Sequence, residues 1–142
     1  MRIFEVNTFS NEYLEAVRKF LAMLTADPQP FTEDDFMNLM ASRNSHLFLI
    51  EVDHQIAGMA TIAIYESPTG TKAWVEDVVI DEACRGKGLG KLLMQHVIDY
   101  TKSHAKGLLM LTSNPSRIAA NKLYQSLGFE QKQTNVYVMR CN

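Results

Sequence analysis

The fold of this chain is decided by Val78-Val79-Ile80-Asp81-Glu82-Ala83-Cys84-Arg85-Gly86-Lys87-Gly88-Leu89-Gly90-Lys91. This run begins as an apolar β-strand, passes through a short charged loop and enters a glycine-rich helix start. Glycines let the backbone approach a ligand closely, and the first turn of a helix leaves N–H groups without partners at the positive end of its dipole. The run therefore predicts a cradle for a phosphate-type anion. A tight, closely packed turn is the alternative that spacing alone leaves open.

Helix and strand signals on both sides of this run predict a mixed α/β sheet with the element order β-α-α-β-β-β-α-β-α-β-β. The predicted strands are Met1–Asn7, His46–Val52, Ile56–Tyr65, Lys72–Ile80, Leu108–Thr112, Phe129–Gln133 and Val136–Arg140. The predicted helices run from Ser10 to about Ala26, from Thr32 to about Ser42, from Gly88 to near Gly107, and from Pro115 in a first turn through Ser126. One crossover helix joins two parallel strands, and the other neighbouring strands are antiparallel.

Composition narrows the function classes. The 142 residues are 46% hydrophobic and 21% charged with a net charge of -2, which predicts a single domain over residues 1–142. The dense Lys/Arg patches that hold a phosphate backbone are missing, so we expect no nucleic-acid partner. No segment approaches the ~20 apolar residues that span a bilayer, and we expect a cytoplasmic protein without a membrane partner. Cys84 and Cys141 are far apart and have no nearby His pair, so no metal site is expected.

Two spaced motifs carry a family resemblance. A Walker A loop requires Ser or Thr after Gly90-Lys91, where Leu92 stands, and a dinucleotide fingerprint requires a glycine at Lys91. The spacing Arg85-x-x-Gly88-x-Gly90 instead resembles the signature of the GNAT superfamily of N-acetyltransferases. The run Arg117-Ile118-Ala119-Ala120-Asn121-Lys122-Leu123-Tyr124-Gln125-Ser126-Leu127-Gly128-Phe129 is similar to that family's R-x-x-A-[HN]-x-[LF]-Y-x-x-x-G-F helix. Both motifs occur in the family's order.

The resemblance implies the GNAT fold, with acetyl-CoA bound where the strand ending at Ile80 splays from its parallel neighbour. It implies that the backbone of Val78, Val79 and Ile80 holds the pantetheine arm like an added strand. The pyrophosphate would meet Arg85, Gly86, Lys87, Gly88, Leu89, Gly90 and Lys91. The resemblance also places Asn121 at a position that contacts the cosubstrate, and Tyr124 at the position of the proton donor.

Acetyl transfer to an amine explains these residue types independently. A primary amine has a pKa near ~10.4, so it must lose a proton before it attacks a thioester, and the departing thiolate must gain one. Glu76 is the first candidate base, Asp77 is the reserve, and a water chain is a third route. The alternative interpretation of Glu76 is a solvent-exposed carboxylate on a strand. The alternative interpretation of Tyr124 is an aromatic residue that packs in the core.

The expected function is transfer of an acetyl group from acetyl-CoA to a primary amine by direct attack in a ternary complex. The alternative is a non-catalytic module that binds acyl-CoA and acts as a sensor or regulator. The acceptor carries no readable motif, and a small-molecule amine is favoured over a protein. A terminal strand pair at a sheet edge is compatible with a homodimer.

Overall fold

The computed structural model describes all residues, Met1–Asn142, which form two compact units, Met1–Thr112 and Ser113–Asn142. The strands of the first unit are β1 (Arg2–Glu5), β2 (Ser45–Val52), β3 (Gln55–Ser67), β4 (Gly70–Ile80) and β5 (Gly107–Met110). Its helices are α1 (Asn11–Leu24), α2 (Glu33–Ala41) and α3 (Leu89–His104). The second unit holds the helix α4 (Ile118–Ser126). None of the four helices combines the length and the apolar character that crossing a bilayer requires.

The five strands form one mixed sheet in the order β1-β2-β3-β4-β5. The pairs from β1 to β4 are antiparallel, and β5 pairs with β4 in parallel. Parallel neighbours need a crossover connection, which here is α3. The predicted mixed sheet and its one crossover helix are therefore confirmed.

The sheet of the first unit is covered on both faces. On one face, α1 and α2 contribute Phe20 and Phe36, which are fully buried in a cluster with Leu47 and Leu49 of β2. On the other face, the Phe48 ring lies 4.9 Å from that of Tyr100 on α3 and 5.4 Å from that of His96, measured between centroids. Successive β2 side chains alternate between the two faces, as the pleat of a strand requires.

The starts of α1 and α2 follow from local capping. The Glu12 backbone N–H donates to Ser10 Oγ at 3.2 Å. At α2 the Asp35 N–H donates to Thr32 Oγ1 at 3.1 Å, and the Thr32 N–H donates to Asp35 Oδ2 at 2.8 Å. This reciprocal pair is a capping box, in which each side chain satisfies a backbone donor that the helix leaves free. The predicted starts of both helices, at Ser10 and Thr32, are confirmed, and these residues are the N-caps.

The hairpin between β2 and β3 turns on two residues, Asp53 and His54. Both have positive φ, 51° and 62°. Two left-handed residues in a row match a type I′ turn, whose twist suits an antiparallel hairpin. The predicted hairpin forms, and β3 begins one residue earlier than predicted, at Gln55.

The predicted closing strand pair, Phe129–Gln133 and Val136–Arg140, is wrong. The structure has no strand after β5, and Val136, Tyr137, Val138 and Met139 are 65% to 87% exposed. A two-stranded hairpin is marginal in water, and the second unit supplies no third strand to support one. The homodimer expectation rested on this pair and loses its support.

Several other boundaries differ from prediction by a few residues, among them the start of α4 and the end of β5. Helix α4 begins at Ile118 and not at Pro115, because the Asn114 side chain accepts hydrogen bonds from the Ser116 N–H at 2.9 Å and the Ser116 hydroxyl at 2.8 Å. These bonds form a local turn that competes with the helix. Strand β5 ends at Met110, two residues before the predicted Thr112.

Gly58 of β3 permits a close approach of β4. A Cβ placed on Gly58 would lie 2.6 Å from Ile80 Cδ1 and 2.7 Å from the Val79 carbonyl oxygen. Because the carbonyl cannot move without shifting β4, we expect Gly58→Ala to lower the free energy of unfolding by roughly 1–3 kcal/mol. Urea denaturation measures this. Ile80→Val added to Gly58→Ala removes Cδ1 and should restore part of the loss; an unchanged unfolding midpoint for Gly58→Ala alone would contradict the interpretation.

Candidate active site

A β-bulge interrupts β4 at Asp77. Thr61 of β3 pairs with Glu76 and Met59 pairs with Val79, so Ala60 faces two β4 residues. Asp77 has a φ of 53°, in the left-handed region that Asp tolerates better than most residues. The alternation of a regular strand is therefore broken at this point, and Glu76 and Asp77 are both exposed.

Strand β4 continues beyond the end of its pairing with β5. The last parallel pair joins Trp74 to Met110, and no strand pairs with β4 on that side from Val75 to Ile80. Backbone groups on this edge are free to accept an extended chain as an added strand. The predicted parting of the two strands is thus present within the first unit, and it begins at Trp74.

The loop after β4 leads directly into α3. Glu82–Cys84 form a single 3-10 turn, capped by Asp81, whose Oδ1 accepts from the Ala83 N–H at 3.1 Å. Arg85 Nε donates to the Ile80 carbonyl at 3.1 Å, which ties the loop to the end of the strand. Gly86 and Gly88 have φ of 79° and 77°, a conformation that a side chain rarely adopts.

Six consecutive backbone amides, Gly86 to Lys91, have no hydrogen-bond acceptor within the protein. Gly88 caps α3 without a side-chain hydrogen bond, so the first turn of a 16-residue helix keeps its donors free. No atom lies within 4 Å of a Cβ built on Gly86 or on Gly88. The space beside these two glycines is therefore open, and the unbonded amides, together with the helix dipole and nearby Lys87, are suited to bind a polyanion.

An ion pair connects this loop to α1. Lys19 Nζ donates to Asp81 Oδ2 at 2.6 Å, and Asp81 is 7% exposed. The Lys19 hydrogen bond, followed by that from the Ala83 N–H, lowers the pKa of Asp81 and keeps the carboxylate charged. This pair could not be predicted from the sequence, because the two residues lie far apart in the chain and Lys19 belongs to no motif.

Glu76 lies on the same sheet face as Thr61, its direct partner on β3. The side chain as a whole is exposed, yet desolvation around its carboxyl raises the pKa, and the Asp77 carboxylate raises it further. A carboxylate with a raised pKa is a better proton acceptor at neutral pH than an ordinary one. Glu76 therefore has the electrostatic property that a general base needs.

In the second unit, the end of α4 explains the spacing Tyr-x-x-x-Gly-Phe. The Phe129 N–H donates to the Tyr124 carbonyl at 3.0 Å, and the Gly128 N–H donates to the Gln125 carbonyl at 3.1 Å. These two bonds and the φ of 102° at Gly128 form a Schellman motif. The Tyr124 and Phe129 rings meet edge to face, with centroids 6.1 Å apart. The predicted end of this helix at Ser126 is confirmed.

The two predicted site residues on α4 differ in their bonding. Tyr124 is 7% exposed, and its hydroxyl makes no hydrogen bond. Asn121 Nδ2 donates to the Asn114 carbonyl at 3.0 Å, so this amide holds the turn before α4 and keeps its side-chain oxygen free. Asn121 thus has a local structural role that the sequence did not indicate.

A cavity of about 600 Å³ in the first unit lies at the C-terminal end of α3 and not at the glycine loop. It is lined by Arg43, Asn44, His46, Ile64, Tyr65, Glu66, Tyr100 and His104. Within it, His46 Nδ1 lies 2.7 Å from Glu5 Oε2, and the Tyr100 and His104 rings stack at 3.9 Å. His46 is therefore half-buried and bonded to Glu5.

Comparison with known proteins identifies the family of this chain. The model of the acetyltransferase (GNAT) family matches residues 11–129. Mycothiol acetyltransferase of Renibacterium salmoninarum is 41% identical over 86 residues, which are 58% of this chain and 25% of that protein. The ribosomal protein bS18-alanine N-acetyltransferase of Salmonella typhimurium is 28% identical over 102 residues, 72% of this chain and 66% of that protein. The chain thus spans a quarter and about two thirds of the length of these relatives.

Solved structures show the same architecture. Glucosamine-6-phosphate N-acetyltransferase from Arabidopsis thaliana superposes with a TM-score of 0.79 at 19% identity, covering 98% of this chain and 99% of that one. A transcriptional regulator from Bacillus halodurans superposes with a TM-score of 0.85 at 22% identity, with coverages of 98% and 99%. At these identities the likeness concerns the fold, and the predicted GNAT fold is confirmed. Because the family model also matches most of its length, this chain belongs to the GNAT acetyltransferase family.

Proposed function

We propose that this protein transfers an acetyl group from acetyl-CoA to a primary amine by direct attack in a ternary complex. One observation carries the proposal: the unpaired edge of β4 runs straight into a loop with six free backbone amides, Gly86 to Lys91. A strand edge suits an extended pantetheine arm, and a row of N–H groups suits a diphosphate. These two features have the order along the chain that the two parts of acetyl-CoA require.

The loop fits the diphosphate of acetyl-CoA in charge and in shape. Arg85 uses its Nε to hold the Ile80 carbonyl, and its terminal guanidinium nitrogens keep their donors for phosphate oxygens. Lys87 and Lys91 add two more positive charges. Glycine at 86 and 88 keeps the approach to the amides open. We assign the diphosphate to Arg85–Lys91 and the pantetheine amides to Val78–Ile80.

The reaction needs two proton transfers, which we assign to different groups. Glu76 takes a proton from the ammonium form of the acceptor, and the free amine attacks the thioester carbonyl. The new C–N bond forms, the C–S bond breaks, and the thiolate takes a proton from the Tyr124 hydroxyl. The proton that the nitrogen loses on forming the amide restores Tyr124, so one proton in all leaves through Glu76.

Charge develops on the carbonyl oxygen of the thioester in the transition state. A fixed backbone N–H stabilises such an oxyanion, and we assign this role to Val79. The ordinary pKa of a phenol, ~10, lies close enough to that of a departing thiol, ~8.5, for proton transfer between groups in contact. Asn121 is assigned to the cosubstrate through its free side-chain oxygen.

The names of two relatives agree with an amine acceptor and differ in the size of the molecule that carries it. One acts on the alanine of a ribosomal protein, and another, from rice and 25% identical over 137 residues, is a glucosamine 6-phosphate N-acetyltransferase. We propose that the acceptor here is a small-molecule amine.

Because the family model crosses both units, we also propose that residues 1–142 act as one catalytic domain. We propose the cytoplasm as its compartment.

The proposed activity predicts amine-dependent release of free thiol from acetyl-CoA. The measurement mixes purified protein with acetyl-CoA and a panel of primary amines and follows thiol with a chromogenic reagent. Reactions without amine correct for the two protein cysteines, Cys84 and Cys141. Saturable binding of acetyl-CoA without thiol release on any amine would contradict transferase activity and favour an acyl-CoA sensor.

We expect Tyr124→Phe to lower kcat by about 10²–10⁴-fold, since a proton donor in the transition state contributes about that much. The KM for acetyl-CoA should change little, because the ring and its contact with Phe129 remain. Tyr137→Phe is the matched control, since that tyrosine is 87% exposed in the same unit. Unchanged turnover in Tyr124→Phe would remove this hydroxyl from the mechanism.

The raised pKa of Glu76 predicts how kcat depends on pH. A general base works only when deprotonated, so kcat should fall as the pH drops through the pKa of Glu76. Asp77→Asn removes the neighbouring charge that raises this pKa, and we expect the acid limb of kcat to move to lower pH. Asn tolerates the left-handed backbone at 77 as Asp does.

Two further variants frame this measurement. Glu76→Gln should abolish the acid limb together with most of the activity, and Asp99→Asn, an exposed carboxylate on α3, should leave the profile unchanged. An acid limb in Asp77→Asn at the same pH as in the unmodified protein would show that another group or a water chain supplies the base.

A further inference from the structure

An aromatic pair shares the sheet face of Glu76. Strand pairing places Ala63 opposite Trp74 and Thr61 opposite Glu76, and directly opposed antiparallel residues project from the same face. Tyr65 lies two residues beyond Ala63 on β3 and therefore projects from this face as well. Trp74, Tyr65 and Glu76 thus form one surface group, defined here as the aromatic-carboxylate patch.

The Trp74 ring is held in place and remains accessible. Its Nε1–H donates to the Tyr65 hydroxyl at 3.2 Å, which fixes the indole against β3. Trp74 is half-buried and Tyr65 is 41% exposed. The bond leaves the faces of the indole without a polar partner, and the face of an indole is the best aromatic site for a cation.

This patch lies at the point where β4 and β5 part. Trp74 makes the last pair with β5, and Glu76 is the second residue beyond it. The proposed thioester position is the unpaired edge that begins there. An acceptor held between Trp74 and Glu76 would therefore lie at the end of this edge that is farther from the diphosphate loop, the end toward which the acetyl end of the pantetheine arm extends.

The spacing suits an ammonium group. Residues two apart on a strand lie about 6.6 Å apart along its axis. A cation interacts with an aromatic ring within about 6 Å of the centroid, and a charged N–H bonds a carboxylate at about 2.8 Å. One ammonium can therefore contact the indole face and the Glu76 carboxylate together.

The local charges favour a cation. Glu76 and Asp77 place two carboxyl groups at the bulge. Lys72 is the cation of β4 on this face, and its ammonium is tied to the hydroxyls of Ser67 and Thr69 at the far turn. Neither Glu76 nor Asp77 has an ion-pair partner in the protein. The carboxylates are thus available to a positively charged ligand.

We propose that Trp74, supported by Tyr65, binds the ammonium form of the acceptor beside Glu76. The acceptor class is a compact aliphatic amine that is positively charged at neutral pH, in preference to an aniline or an amine that carries a phosphate. This inference rests on the proposed function for the fate of the amine, while binding of a cation to the patch is independent of it. Tyr65 is a positioning residue, because it acts through the indole.

Trp74 is the one tryptophan of the chain, so its fluorescence reports directly on the patch. We expect choline to change the emission with saturation, and its neutral isostere 3,3-dimethyl-1-butanol to have no such effect at the same concentrations. Global replacement of tryptophan by fluorotryptophans changes this ring alone, and affinity for choline should fall with each added fluorine. Equal binding of choline and the neutral alcohol would overturn the proposal.

Enzyme kinetics provide a second test of the proposed acceptor site. Trp74→Leu should raise KM for a charged aliphatic amine about tenfold and leave KM for acetyl-CoA unchanged, whereas Trp74→Phe should retain most of the affinity. Choline, which cannot be acetylated on nitrogen, should inhibit competitively against the amine. If amines are acetylated with the same KM in Trp74→Leu, the patch is not the acceptor site and the transferase activity stands. If choline binds but no amine is acetylated, the cation site stands and the proposed function fails.

Discussion

The left-handed backbone at Asp77 is the constraint on which the candidate site depends. By letting two β4 residues face Ala60, it shifts the register with β3 by one position and increases the local twist of the strand. Beyond Trp74 the strand then has a neighbour on one side alone. Glu76 and Asp77 are both exposed where the register shifts. Residues with a strained backbone, such as Asp77, are common at functional sites.

The loop that follows is stabilised from outside itself. A helix start with six free amides gains little from its own hydrogen bonds, so its conformation depends on anchors. Asp81 provides one by capping the 3-10 turn and accepting from Lys19 of α1, and Arg85 provides another by donating to the Ile80 carbonyl. With its ends held in this way, the middle of the loop keeps its donors for a ligand. Preorganised donors lose little entropy on binding.

Local rules predicted much of this protein, because capping, glycine conformation and helix stops depend on a few neighbouring residues. The caps at Ser10 and Thr32, the glycine loop and the Schellman stop at Gly128 are all of this kind. Glu76 lies on β4 as expected, and its role as the base stays a prediction. The bulge at Asp77 was missed, since a strand with an extra residue has the same composition as one without it.

Features that depend on distant residues were the ones that sequence reasoning missed. The Lys19–Asp81 pair joins residues brought together by the packing of α1 on the sheet, and no periodicity reveals it. The apolar run Val136–Met139 has strong β propensity, yet it has no strand partner in its unit. Strand formation needs a neighbour to accept its hydrogen bonds, so propensity alone overestimated it.

At Tyr124 the requirements of architecture and of the proposed chemistry fall on different atoms of one residue. The backbone carbonyl and the ring complete the end of α4, and the hydroxyl takes part in no bond that the helix needs. Loss of that single oxygen during evolution would therefore leave the scaffold intact. In such a lineage, an acetyl-CoA-dependent transferase can become a receptor for acetyl-CoA while every sequence along the way still folds.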